Sequence, residues 1–339
     1  MRICYCGPRA REMPGMERLE LTEDGAHGCN AIGHDLCHVW NELGYRASIW
    51  NYWKTGEDGT PTHELYDAVF LYDHSMAQLW AEQVPAWDWD QRLTIYYSHL
   101  PPDRDQWARK CHLVGYIHSG MEAQARAVSN SFRPEAQIFS LPWAAPGYWQ
   151  LPPALPNPYA PGRKTAVWAG RLHPANVAPL VALSEALPEL ELHIFSNALE
   201  KGHLTREQLP QGPHVHFHGS AKHGTFQHYL WYADVALDAM IHPHQQLVNS
   251  KQADYLLAGV PLVAEGPVPG DQYLRATGHG VIVPYSRTDL RPYVETVRAV
   301  LHRTDWNRAA TSGYMQACHT WRYRAYTVHQ QIQHWLAKQ

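Results

Sequence analysis

The residues best placed to do chemistry lie in one run, Asn249-Ser-Lys-Gln-Ala-Asp-Tyr-Leu-Leu-Ala-Gly-Val-Pro-Leu-Val-Ala264. Asn249 or Ser250 is a good N-cap, and Gly259 stands where a helix would end before Pro261 opens a buried strand. The free N–H groups of a first helical turn, at the positive end of the dipole, form a site for an anion such as a phosphate. Lys251 adds a full positive charge there. Asp254 follows one turn later on the same face, where a carboxylate can accept hydrogen bonds from the vicinal hydroxyls of a ribose. The same spacing also suits an ordinary capped helix feeding a core strand, with Asp254 as a partner of the dipole.

Earlier in the chain stands Val167-Trp-Ala-Gly-Arg-Leu-His-Pro174. A guanidinium at the carboxyl end of a strand can bind phosphate through two parallel hydrogen bonds, which makes Arg171 a phosphate candidate, although Gly-Arg-Leu alone is a common tripeptide. In the first half, His99 follows the strand-like Leu93-Thr-Ile-Tyr-Tyr-Ser98, and His74 stands in Tyr72-Asp-His-Ser75 at the end of the preceding strand. Each is a candidate catalytic group at a sheet's carboxyl edge and each also suits a plain loop histidine, as does His118. Asp73 has the chemistry to orient a histidine or to act as a base. The glycine-containing stretch Asp24-Gly-Ala-His-Gly-Cys-Asn-Ala31, with Gly28 and Asn30, precedes a helix.

Positioning these residues requires alternating strands and helices. Short apolar runs predict strands at Arg2–Cys6, Ala47–Trp50, Ala68–Tyr72, Leu93–Ser98, Leu113–His118 and Ala136–Leu141, with helices clearest at Ile32–Leu43 and Gly120–Val128. Seven prolines between Leu141 and Gly162 interrupt the pattern and read as a hinge. The alternation then restarts. Strands are expected at Thr165–Gly170, Leu190–Ser196, Val215–Gly219, Val235–Ala239, Pro261–Glu265 and Val281–Pro284. Helices fit Asn176–Leu187, Phe226–Tyr232, Lys251–Ala258, Leu290–Leu301 and Tyr323–Leu336. This is an α/β chain of two Rossmann-like domains, 1–150 and 163–319, joined by a hinge at 151–162, with the last helix, 320–339, packing back on the first domain. A ligand belongs in a cleft beyond the carboxyl ends of the strands.

Composition narrows the classes. A length of 339 residues fits two cores, and 45% hydrophobic with 18% charged residues marks a folded globular protein. No apolar stretch reaches the ~18 residues of a membrane span, and the N-terminus lacks the apolar core of a signal peptide. Six cysteines without CxxC pairs suit reduced thiols in a cytoplasmic protein. A net charge of −4 argues against broad capture of nucleic acid. The 23 histidines are dispersed; His214, His216 and His218 at most share one strand face, surface and loop positions are expected for them, and no metal site is expected.

The segment around Lys251 is similar to the donor-site signature of the retaining GT-B glycosyltransferases, the family-4-like or group 1 type, in which N-K-x-x-E-Y-x-A-x-G-x-P-V-V precedes the strand. Lys251, Tyr255, Ala258, Gly259, Pro261 and Val263 continue the match, and Asp254 replaces the glutamate that holds the nucleotide ribose. Gly170-Arg171-Leu172 resembles the turn whose arginine contacts the donor diphosphate; the lysine that usually follows is absent, and Ala175 and Asn176 stand there. Val215-His-Phe-His-Gly-Ser220 resembles the strand and turn bordering the nucleobase, with backbone amides near Gly219 and Ser220 as contacts. His99 occupies a place like that of the histidine this family presents to the donor sugar, and Gly28 and Asn30 lie in what resembles its first glycine-rich loop.

The resemblance implies a hexosyltransferase that moves a sugar from a UDP- or GDP-type nucleotide-sugar, UDP-glucose for example, to an acceptor hydroxyl, with no cofactor beyond that donor. A helix N-terminus with Arg171 and Lys251 can stabilise the leaving diphosphate without a metal. Gln246, eight residues before Asp254, stands where many retaining relatives carry the first glutamate of an E-x(7)-E pair. A glutamine can bond sugar hydroxyls but cannot act as a nucleophile, so retention implies a front-face displacement. The acceptor is a glycan, a small metabolite or a modified DNA base as in phage enzymes, with Arg9, Arg11 and Arg18 of the 8–26 insertion as recognition residues. A nucleotide-sugar 2-epimerase and an inactive nucleotide-sugar binding protein are the alternatives on the same scaffold.

Overall fold

The computed structural model describes residues 1–7, 28–50, 66–145, 156–196, 204–219, 223–240, 250–266 and 272–339, with positions 28–31, 223, 224 and 250 as backbone only. The chain forms two compact units. One runs to Tyr148 and resumes at Thr320–Gln339; the other spans Trp149–His319.

In the first unit, β1 (Arg2–Cys6), β2 (Arg46–Ile49), β3 (Ala68–Leu71), β4 (Leu93–Ser98), β5 (Leu113–Tyr116) and β6 (Gln137–Ser140) pair in parallel in the order β2-β1-β3-β4-β5-β6. Every residue of β3, β4 and β5 is buried, as expected of strands covered on both faces. Helix α1 (Gly28–Glu42) buries Ile32, Leu36, Val39 and Trp40, a spacing that puts one apolar stripe on the sheet. Trp40 lies 5.7 Å from the Phe70 ring of β3. Asp73 caps α2 (His74–Gln83) by accepting the Met76 N–H at 2.9 Å, and His118 caps α3 (Ser119–Ala127) through Nδ1, which accepts the Met121 N–H at 3.2 Å.

The second unit repeats the scheme with β7 (Thr165–Ala169), β8 (Glu191–Phe195), β9 (Val215–Phe217), β10 (Val235–Asp238), β11 (Leu262–Gly266) and β12 (Gly280–Pro284), ordered β12-β11-β10-β7-β8-β9, all parallel. Its helices are α4 (Pro174–Ala186), α5 (His223–Tyr232), α6 (Ser250–Leu257), α7 (Gln272–Thr277), α8 (Arg291–His302) and α9 (Arg308–Cys318). Trp168, Leu180, Leu183, Ile194, Val263 and Val297 are fully buried at the centre of its core. Helix α6 ends as the sequence predicts: Gly259 takes φ +66°, and the Val260 and Gly259 N–H groups return to Tyr255 O and Leu256 O. A side chain at 259 would meet Arg308 O at 2.5 Å. Arg308 itself donates to Trp231 O at 2.7 Å, Ala233 O at 3.0 Å and Ala258 O at 3.4 Å, satisfying carbonyls at the C-terminal ends of both α5 and α6.

The last helix, α10 (Trp321–Leu336), belongs to the first unit. It is bound there by Trp40 Nε1 to Ala325 O at 3.2 Å, by Tyr45 Oη to His329 Nδ1 at 2.9 Å and by Arg324 Nε to Pro142 O at 2.8 Å.

Three expectations are corrected. Helix α1 starts at Gly28 rather than Ile32, so Gly28 and Asn30 belong to its first turn and not to a preceding loop. Strand β5 stops at Tyr116, because His118 is used as a cap. Histidines are not confined to the surface, since His193 on β8 is 4% exposed. Among the described residues no helix is long and apolar enough to cross a membrane, and Cys4, Cys6, Cys37, Cys111 and Cys318 are free thiols.

Candidate functional site

In the second unit β7 and β10 are neighbours although two strands separate them in the chain. The connections therefore leave this pair in opposite directions, which opens a crevice at the carboxyl ends of the strands. Gly170 and Arg171 stand at the end of β7, Asp238 at the end of β10, and the first turn of α6 comes down upon both. Lys251 Nζ lies 3.2 Å from Asp238 Oδ1 and 4.6 Å above the Trp168 ring. The Gln252 amide donates to Asp238 Oδ2 at 3.0 Å. Gly170 takes φ +135°, and a side chain there would touch Lys251 at 3.4 Å, so the lysine lies directly over the glycine. Tyr255, one turn on, fixes the helix by accepting the Ala169 N–H at 2.9 Å.

Arg171 and Lys251 thus stand at one crevice, with Asp254 one turn later on α6, and the reading of Lys251 needs one correction. Lys251 is not a spare charge, because Asp238 is 1% exposed and sits against it. A buried carboxylate needs such a partner, so much of the lysine's field is spent locally. Arg171 is exposed and forms no ion pair among the described residues, which leaves it as the cation available to a ligand. Its backbone is held from α4: the Asn176 amide donates to Arg171 O at 3.0 Å while its oxygen accepts the His173 N–H at 2.7 Å. Asn176 is 2% exposed, which explains why the position carries a capping amide and no lysine.

Asp254 retains some exposed surface, yet burial pushes its carboxyl up to about 8. The unfolded chain releases this proton near 3.8, so the folded form binds more protons between those values and loses stability as pH rises from about 4 to about 8. Asp254→Asn is expected to raise the melting temperature at pH 8, by about 2–4 °C for each kcal/mol relieved, and to leave it unchanged below pH 4; equal effects at both pH values in a thermal scan would refute the assignment.

Asp238, Glu265 and Arg287 escaped the sequence reading. Glu265, 1% exposed at the end of β11, receives both Arg287 Nη1 and Nη2 and the Met240 N–H, and Arg287 also donates to Ala175 O and Met240 O. This pair ties the ends of β10 and β11 to the start of α4. The signal was legible: Val235-Ala-Leu-Asp238 and Leu262-Val-Ala-Glu265 each end a buried strand in a carboxylate. Gly219 forms a turn after β9 with φ +67°. Ser250 is the first residue of α6, not its cap. Asn249, Gln246 and Ser220 lie outside the described residues, as do Arg9, Arg11 and Arg18.

In the first unit, His99 and the Asp73–His74 pair follow the adjacent strands β4 and β3. The His99 ring lies 4.7 Å from Tyr97, 5.0 Å from Tyr72 and 6.0 Å from Trp143, with its Nε2 buried and unpartnered among the described residues. Burial lowers its titration to about 4; Asp73 opposes that shift and His74 adds to it. His99 is therefore a neutral imidazole near pH 7, a hydrogen-bonding group and not a cation. Asp73 caps α2 through Oδ1, and His74 is exposed, 3.5 Å from Ser75 Oγ.

No family model and no curated protein matches the chain. Solved structures do. Sucrose-phosphate synthase from Thermosynechococcus elongatus is 13% identical over the whole of both chains with a TM-score of 0.70. Anabaena HepE in complex with UDP and glucose is 13% identical, again over both whole chains, at 0.61. A putative UDP-N-acetylglucosamine 2-epimerase from Listeria monocytogenes is 10% identical, covering 100% of this chain and 97% of that one, at 0.57. The fold is GT-B. Within the GT-B fold the crevice at β7 and β10 is a topological switch point of the kind that holds ligands in open parallel sheets.

Proposed function

We propose that the chain is a glycosyltransferase that binds a UDP- or GDP-type nucleotide-sugar at the β7–β10 crevice and transfers the sugar to an acceptor hydroxyl. The observation that carries this reading is the meeting of the end of β7, with Gly170 and Arg171, and the N-terminus of α6, with Lys251, at that crevice. Arg171 and the helix dipole neutralise the diphosphate as it leaves, which suits metal-independent transfer. Asp254 binds the ribose hydroxyls, and donor binding favours its ionised form. His99 serves the sugar end of the reaction as a neutral hydrogen-bonding group. Because Gln246 cannot act as a nucleophile, transfer with retention would proceed by front-face displacement. A UDP-containing structure among those sharing the fold supports the donor class. The acceptor is a glycan, a small molecule or a DNA base.

The test is a thermal-shift screen of the full chain against UDP, GDP, ADP and their glucose, mannose and N-acetylglucosamine forms. A saturable rise with one nucleotide series is expected, since a ligand of the native state stabilises it; no rise with any of them would end the proposal. The epimerase among the solved structures motivates a second reading. Incubation of the bound, labelled nucleotide-sugar without acceptor decides it: epimerisation changes the sugar and keeps the nucleotide attached, whereas a transferase releases free sugar slowly or leaves the donor intact.

A further inference from the structure

At the β8–β9 edge of the second unit's sheet, outside the β7–β10 crevice, lies a further group of side chains. β8 and β9 pair so that His193 stands opposite His216, and Glu191 shares their face two residues earlier. His193 Nε2 is 3.2 Å from Glu191 Oε1, and His216 Nε2 is 3.5 Å from the same oxygen. One ligand atom from each of the three lies within 4.8 Å of the others. On the far side of the ring, His193 Nδ1 meets His218 Nε2 at 2.8 Å. Tyr159 and Tyr229 close over the rings, 4.9 Å from His193 and 4.7 Å from His218.

We propose that Glu191, His193 and His216 form a binding site for a divalent d-block cation, with Zn2+ as the natural probe. Bonds of about 2.0–2.1 Å to nitrogen and oxygen in a tetrahedral site place neighbouring ligand atoms ~3.3 Å apart, close to the 3.2 and 3.5 Å spacings here. Two imidazoles and a carboxylate are an accepted Zn2+ set with an open fourth position, and the His216 side chain, 40% exposed, gives the ion a way in.

Two further features point to a ligand. Glu191 is 7% exposed, its Oε2 is buried, and that oxygen has no hydrogen-bond partner among the described residues. No lysine or arginine pairs with this carboxylate among them, so its charge lacks the counterion that burial demands. His218 supplies what a metal-bound imidazole regularly has, a partner for its other ring nitrogen: with the proton on His193 Nδ1 donated to His218, the Nε2 lone pair is free to face the ion. The site lies wholly on β8 and β9 and stands or falls independently of glycosyl transfer.

The full-length protein, stripped with a chelator and dialysed, would be titrated with Co2+ followed by its visible absorption, then with Zn2+ in competition, beside His216→Ala and Glu191→Gln. One equivalent of Co2+ in a low-symmetry environment is expected, displaced by Zn2+, with affinity lowered at least tenfold in His216→Ala. His216 is the least buried of the three and its loss spares the fold; circular dichroism checks this for both variants. A rise of melting temperature with Zn2+ in the parent and none in the variants would agree. Wild-type protein that is folded and binds no Co2+, or binds Zn2+ no more tightly than His216→Ala, would overturn the site and leave a hydrogen-bonded histidine cluster.

Discussion

Arg171→Ala is expected to weaken UDP binding about 10- to 100-fold, measured by calorimetry on the full chain. A charge-assisted hydrogen bond contributes about 1.5–3 kcal/mol, and each 1.4 kcal/mol is about a tenfold change in affinity. The residue is suited to this test because it is exposed and forms no ion pair among the described residues, so its removal leaves no buried charge behind. Arg171→Lys should recover only part of the loss, since an ammonium lacks the two-pronged geometry of a guanidinium. Lys251→Ala is a poorer probe. It would remove the ion-pair partner of the Asp238 carboxylate, 1% exposed, and removing one partner of a buried pair destabilises by about 3–5 kcal/mol. Unchanged UDP affinity in a folded Arg171→Ala protein would move the diphosphate elsewhere.

His99→Ala is expected to lower turnover of the nucleotide-sugar about 100- to 1,000-fold while UDP affinity stays within about twofold. A preorganised donor removed from a desolvated site has an effect of that size. The pH profile separates this role from packing. The unfolded chain protonates this histidine near 6.5, whereas the folded one resists until about 4, so the wild-type protein loses stability as pH falls through that window. His99→Ala removes that acid sensitivity. His99→Asn, which restores a hydrogen-bonding amide, should regain part of the rate; a rate equal to that of His99→Ala, with the fold intact, would make the imidazole a packing group only.

Much of this architecture could be read from residue order. All twelve expected strands formed, most plainly where four to six buried residues run between turn formers, as in β3, β4 and β5. Helix α9 was missed for the opposite reason. Its buried face is Thr311, Ser312 and Met315, small or polar residues that carry no apolar stripe. The β7–β10 crevice was legible through Gly170, Arg171 and Lys251, each placed by a strand end or a helix start. Asp238 was not, since only the fold reveals which distant cation a strand-end carboxylate meets. The histidines of β8 and β9 were invisible as a group, because pairing between strands, and not spacing along either, brings His193 opposite His216.

Arg308 gives the second unit a mechanical character. One guanidinium grips the carbonyl ends of α5 and α6 together, while the opposite end of α6 meets the crevice. The helix is anchored at both ends, by Arg308 at its root and by Asp238 and the Ala169 N–H at its first turns. Its orientation is then settled before any ligand arrives, so association need not freeze it, and preorganisation of this kind converts more of each contact into affinity.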